Sequence, residues 1–299
     1  MMIFLIFYQY WKSAKILDIF GTIYEFDEKA KIIKIHINYN SYRHKSLIYI
    51  IISFITVGIV GAIVLYFVVD DNRIDNDIFT ATFYYLCLFY SNAIILQFSG
   101  FVISLRDRMN MLHLKVSSMR NLTNFEVMLI IELYEKLFKS LDLVNRNCTT
   151  LLIPITLNLL MNVTFSMYAF GRIVYSDFGV YSTSLILLNI SVWLIEHAVL
   201  TIFLINSAAS TQEAIEHLQV IGYETSRHQK ITNYETRKIF KGFLRYIKSS
   251  NFRLRTLFFN IDWALLFTLL STATTFIIIT CQFETSLTDS NTNNPKNST

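Results

Sequence analysis

Apolar residues in this chain come in blocks. Five stretches run free of Asp, Glu, Lys and Arg over about membrane length: residues 46–69, 78–105, 149–171, 178–195 and 263–283. The fourth continues past Glu196 to Asn206, so 178–206 is read as one span. At about 1.5 Å per residue, the second exceeds a ~30 Å hydrocarbon core and must tilt or extend beyond it. Met1 to Trp11 is apolar as well. It has no basic residues before it and no small-residue cleavage pattern after it, which argues for an interfacial N-terminal segment over a secretory signal. The blocks predict an all-α, polytopic membrane helix bundle with five recognisable spans.

The segments between the spans are patterned for helices too. Thr123-Asn124-Phe125-Glu126 has the spacing of a capping box, with Leu122 placed to staple Val127. Val127, Ile130, Ile131, Tyr134, Phe138 and Leu141 follow at helical spacing. Ser210-Thr211-Gln212-Glu213 and Thr232-Asn233-Tyr234-Glu235 repeat the box pattern. The last precedes an amphipathic run, Ile239 to Ile247, interleaved with Lys238, Lys241, Arg245 and Lys248. That run suits either a membrane surface or packing below the bundle. Gly222 and the polar stretch to Lys230 predict a turn, and Pro154 a kink in the third span. Segments 106–148 and 207–262 are thus expected to be helical extensions, and 285–299, rich in Ser, Thr and Asn, a disordered tail.

Composition agrees with the membrane reading. The chain has 299 residues, 53% hydrophobic and 16% charged, well below the usual quarter charged. Orientation follows from the basic residues. Twenty-three of the 26 Lys and Arg fall before the first span, between the second and third, and before the last. Three fall on the other side: Arg73, Arg172 and Lys296. The expectation is a cytoplasmic N-terminus and an extracellular C-terminus. The net charge of +4 reflects this bias and needs no nucleic acid; a basic inner face meets anionic lipid.

The chemistry-bearing motifs are few. No Gly-rich phosphate loop, H-E-x-x-H, G-x-S-x-G or clustered Cys/His set is present, so no cofactor, metal or enzymatic activity is expected. Glu196-His197 is an ionisable pair inside an apolar stretch, which suits structural packing or a ligand or gating role. Adjacent helical residues point about 100° apart, so the two do not face one small site squarely. Tyr84, Tyr85, Tyr90 and Asn92 in the second span, with Asn158, Asn162 and Tyr168 in the third, put polar tips on large apolar surfaces. That suits a small-molecule pocket or interhelical hydrogen bonds. In the last span Thr268, Ser271 or Thr272, Thr275, Ile278 or Ile279, and Gln282 recur every three to four residues. They form a small, polar stripe fit either for a water-filled pore or for close packing.

Phe258 to Leu266, then Thr275-Phe276, five residues, and Gln282-Phe283, resemble the C-terminal signature TYhhhhhQF of insect gustatory receptors. Phe276 stands where the signature has tyrosine. Glu132 to Asn145 and Leu105 to Asn110 resemble segments bordering the family's middle helices. The resemblance implies a multi-pass plasma-membrane receptor, residues 1–284, that is itself a ligand-gated cation channel. A small-molecule tastant would bind among the spans, with Tyr84, Tyr85, Asn158, Tyr168, Glu196 and His197 as candidates. Cations would pass a pore lined by the last helix, with Gln282, Phe283, Ile279 and Thr275 at the pore or gate. Four subunits, alike or from sister receptors, would surround it. The family has seven spans; two are expected to be missing between Val69 and Leu105, as in a shortened receptor, an incomplete gene reading or a relic. The competing readings are a polytopic transporter with Glu196 or His197 carrying protons, and a G-protein-coupled receptor, which the basic N-terminal segment opposes.

Overall fold

The computed structural model describes residues 2–40, 74–119, 122–175, 180–227, 233–250, 253–256 and 259–292, with single positions between 44 and 58. Side chains of residues 2–14, 74–88, 149, 170–175, 180–189, 193, 219, 221–227, 247–250 and 283–292 lie outside the described set. Six α-helices account for nearly all of it: α1 Met2–Ala30, α2 Ile74–Ser118, α3 Asn124–Tyr175, α4 Val180–Arg227, α5 Tyr234–Ser250 and α6 Trp263–Thr292. A 3-10 turn, Lys31–Ile33, follows α1. Among the described residues no named strand occurs, and the fold is an all-helical bundle with three helices apolar and long enough to cross a membrane. Those windows are Thr150–Ala169, Ile190–Leu218 and Trp263–Gln282. The expected span at 46–69 falls mostly outside the described residues.

Spans and extensions are not separate elements. α2, α3 and α4 are single helices of 45, 52 and 48 residues that carry an apolar half straight into an amphipathic half. α3 runs without interruption through Pro154. Likewise, Met2 to Trp11 forms the first turns of α1 and continues into its packed half.

α1 closes on α3 through Ile19, Ile23, Phe26 and Ala30, buried at spacings of four, three and four. At the crossing, Ser140 Oγ donates to Thr22 Oγ1 at 2.8 Å, and Thr22 in turn donates to the carbonyls of Asp18 and Ile19. Lys29–Glu132 and Lys136–Glu25 pairs flank it. The 3-10 turn after α1 ends at Lys34, the sole positive-φ non-glycine residue described (φ 58°). Its N–H caps Lys31 O at 2.9 Å, and the Ile35 N–H returns to Ala30 O at 3.1 Å.

α2 and α4 form another extensive contact, and small residues let them approach. Ser207 Oγ donates to Ser99 Oγ at 3.1 Å, and Thr211 Oγ1 reaches Val102 O at 3.3 Å and its own helix's Ser207 O at 2.9 Å. Ser210 accepts from Arg106 at 3.0 Å. These bonds correct the expectation that Ser210 to Glu213 opens a helix: the box lies in the middle of α4, and its hydroxyls are spent within and between helices. The Thr123 box is real. Thr123 N–H donates to Glu126 Oε2 at 2.9 Å and Glu126 N–H to Thr123 Oγ1 at 3.2 Å, with Leu122 and Val127 both buried behind it. The third box starts one residue late. Asn233 Oδ1 caps α5 by accepting from Glu235 N–H at 2.9 Å; Thr232 lies outside the described residues.

α5 packs on α3 and α4 with Thr236, Phe240, Phe243 and Leu244 buried, so helix contact wins over a membrane-surface placement. The densest core spans residues 94–159 with 204–218, centred on the amphipathic halves. The membrane-length windows of α3, α4 and α6 are only 28%, 35% and 11% buried, leaving their apolar faces uncovered.

Candidate functional site

The final helix is the least covered of the three membrane-length windows. Its start is built by a small hairpin. Leu254 and Thr256 are buried, Arg255 bridges Asn260, Thr256 N–H bonds Phe259 O at 2.8 Å, and Ile261 N–H returns to Leu254 O at 3.0 Å. Asp262 then caps α6, its carbonyl and Oδ1 both accepting from Leu265 N–H. Leu265 and Ala273 anchor α6 against α3 and α4, with Leu266, Leu269, Thr272, Ile277 and Thr280 half-buried alongside.

The rest of the helix surface is open. At 100° per residue, Thr268, Ser271, Thr275 and Gln282 share one side of it, all exposed. Ile279, 42% exposed, lies at the edge of the same strip. Trp263, Phe267 and Leu270 form an adjoining apolar strip. Five threonines return their hydroxyl protons to the carbonyl four residues back: Thr268, Thr272, Thr274, Thr275 and Thr280, at 2.7 to 2.9 Å. A hydroxyl that has donated its proton presents only lone pairs outward. On the strip itself, Thr268 and Thr275 therefore turn oxygen acceptors outward, the side-chain chemistry that meets a partly hydrated cation. Phe283 is helical, but its side chain lies outside the described residues. α6 continues to Thr292, eight residues into the stretch expected to be a disordered tail. Thr285 to Asn291 contain neither Gly nor Pro, so nothing in them stops a helix already under way.

A second polar site lies between α2 and α4. Glu196, 5% exposed, accepts a hydrogen bond from Asn92 Nδ2 at 2.8 Å, while its Oε2 finds no partner. His197 is 1% exposed on the neighbouring face. Asn158 and Tyr168 are half-buried on α3. Tyr84 and Tyr85 sit on the helical backbone of α2, with side chains outside the described residues. Asn92 was visible as one polar tip among several; its pairing with Glu196 depends on the register of two helices 104 residues apart. Four serines and threonines mark that register: Ser99 and Ser207 meet, and Thr211 reaches Val102 O beside Ser210.

The architecture and the sequence converge on one comparison. The chain matches the 7tm Chemosensory receptor family over residues 1–287. This chain belongs to that family. No curated protein matches it at a significant level. A chemoreceptor of this kind is a membrane protein, and its family is not a family of enzymes. In the receptor, the long helices place the Asn92–Glu196 pair in the bundle interior and leave the α6 acceptor strip facing outward.

Proposed function

We propose that this receptor is a gustatory receptor of the plasma membrane that acts as a ligand-gated cation channel. The supporting observation is the face of α6 left uncovered within one chain, on which Thr268, Ser271, Thr275 and Gln282 are exposed with Ile279 between the last two. A single chain exposing that strip to hydrocarbon wastes its polar atoms; several copies turned inward give it water. Four subunits, identical or drawn from sister receptors, enclose the pore. The N-terminus lies in the cytosol and the C-terminus outside. Thr275 and Ile279 line the pore, and Gln282 and Phe283 close its outer end.

A small, weakly polar tastant binds among the outward halves of the other helices, near Tyr84, Tyr85, Asn158 and Tyr168, with Glu196 and His197 beneath. It opens the pore by binding the open state more tightly than the closed one. Whole-cell recording of the full chain, alone and with sister receptors, tests this reading. Tastant-evoked cation current altered in permeation or gating by Gln282→Ala supports it. Current indistinguishable in that variant removes Gln282 from the pore, and no evoked current in any pairing removes the channel.

A further inference from the structure

A histidine pair in the amphipathic half of the bundle belongs to neither site above. His113 on α2 is 3% exposed, and neither ring nitrogen has a hydrogen-bond partner. His217 on α4 is exposed, with its ring centroid 5.9 Å from that of His113 and the planes at 54°. Tyr134 of α3 lies 5.8 Å from His113, and its buried hydroxyl is also without a partner. Beyond it stands Phe243 of α5, 6.1 Å from Tyr134. Four helices thus meet around polar atoms that their own packing leaves unsatisfied. Such groups in native proteins ordinarily hold water or an ion.

The donor chemistry favours an ion. Both ring nitrogens of the buried His113 lack a partner, so a neutral imidazole there holds an unused lone pair. A neutral imidazole is a common ligand of zinc and its neighbours. With metal–nitrogen bonds of about 2 Å, two imidazoles on one ion have centroids roughly 5–6 Å apart. The observed 5.9 Å falls in that interval. The exposed His217 gives the ion a way in from solvent, and the buried His113 keeps one side of it dry.

We propose that His113 and His217 together bind one first-row transition-metal cation, zinc being the natural probe, which clamps α2 to α4. Water completes the coordination, and the Tyr134 hydroxyl is placed to bond such a water, as outer-shell groups do. The proposal stands apart from the channel reading and concerns the opposite half of these helices.

Zinc titration of the full chain, purified in detergent and followed by calorimetry, tests it. The wild type takes one zinc per chain. Loss of an outer-shell partner already costs about 10–100-fold in affinity, so His217→Ala, a surface change that spares the core, weakens binding by at least roughly tenfold. His217→Cys, which restores a ligand, recovers it. Zinc also raises the unfolding temperature of the wild type and of His217→Cys but not of His217→Ala. No zinc bound by the wild type, or unchanged affinity in His217→Ala, means that water fills the space and overturns the proposal.

Discussion

Asn145 on α3 holds the backbone of Arg255 in the hairpin that precedes α6. Its Oδ1 accepts from Arg255 N–H at 3.2 Å, and its Nδ2 donates to the Arg253 carbonyl at 3.4 Å. One amide side chain thereby fixes where the last helix begins relative to the longest one. Asn145→Ala removes both bonds. As these are solvent-accessible, the loss is about 1 kcal/mol, read as a lowered unfolding temperature of the purified receptor. In the channel reading the same change shifts the tastant concentration for half-maximal current, because α6 is less firmly seated.

Arg108 and Asp27 form a buried ion pair joining α2 to α1, with side chains 4% and 2% exposed. Arg108 Nε and Nη2 meet the two carboxylate oxygens at 2.8 and 2.7 Å, a two-point contact. Removing one partner strands the other in the core. Asp27→Leu or Arg108→Met alone should each destabilise the bundle by about 3–5 kcal/mol, and the double variant by much less than the sum. Detergent unfolding of the three variants checks this; additive losses would show that the pair is not coupled.

Tyr39 places its hydroxyl on Asp27 Oδ2 at 2.7 Å while half its ring faces solvent. Burial of the hydroxyl end, then the bond to Asp27, pushes the phenol up to about 12. A phenol whose folded value lies above its unfolded value of about 10 stabilises the fold fully below pH 10. That contribution is lost as pH climbs from about 10 to 12. Tyr39→Phe lacks the titrating proton, so its stability should fall less steeply than the wild type's over that window in an alkaline unfolding series.

Glu196 depends on Asn92 for the one bond that its carboxyl makes among the described residues. Asn92→Leu should cost about 1–3 kcal/mol, because it leaves a buried acceptor unsatisfied. Glu196→Gln keeps an amide oxygen facing Asn92 and should be nearly neutral in thermal unfolding. An equal loss in both would argue that the charge of Glu196, not its hydrogen bond, holds the site.

Much of the fold was legible because apolar blocks and helical spacing are local. The Thr123 box, the α5 apolar face and the α6 stripe could all be read within a few residues of sequence. What escaped depended on distant register. Ser210-Thr211-Gln212-Glu213 reads as a helix start by spacing, yet in α4 the same hydroxyls cross to α2, and a capping pattern cannot reveal that. Nothing in the sequence near Asp27 or Arg108 announces a partner 81 positions away. His113 and His217 carry no recognisable metal spacing, because two helices rather than one loop bring them together. The Asn145 hairpin is too short and too polar to register as strand.

The unbroken length of the three long helices has a mechanical consequence. A helix of 45 residues is about 68 Å from end to end. Pivoted at one end, such a rod carries a tilt of about 5° into a displacement of roughly 6 Å at the other. A helix broken at the membrane boundary would absorb that motion in its joint. α2 and α4 hold no proline to act as such a joint, so in the channel reading a small rearrangement at one end of them arrives at the other enlarged.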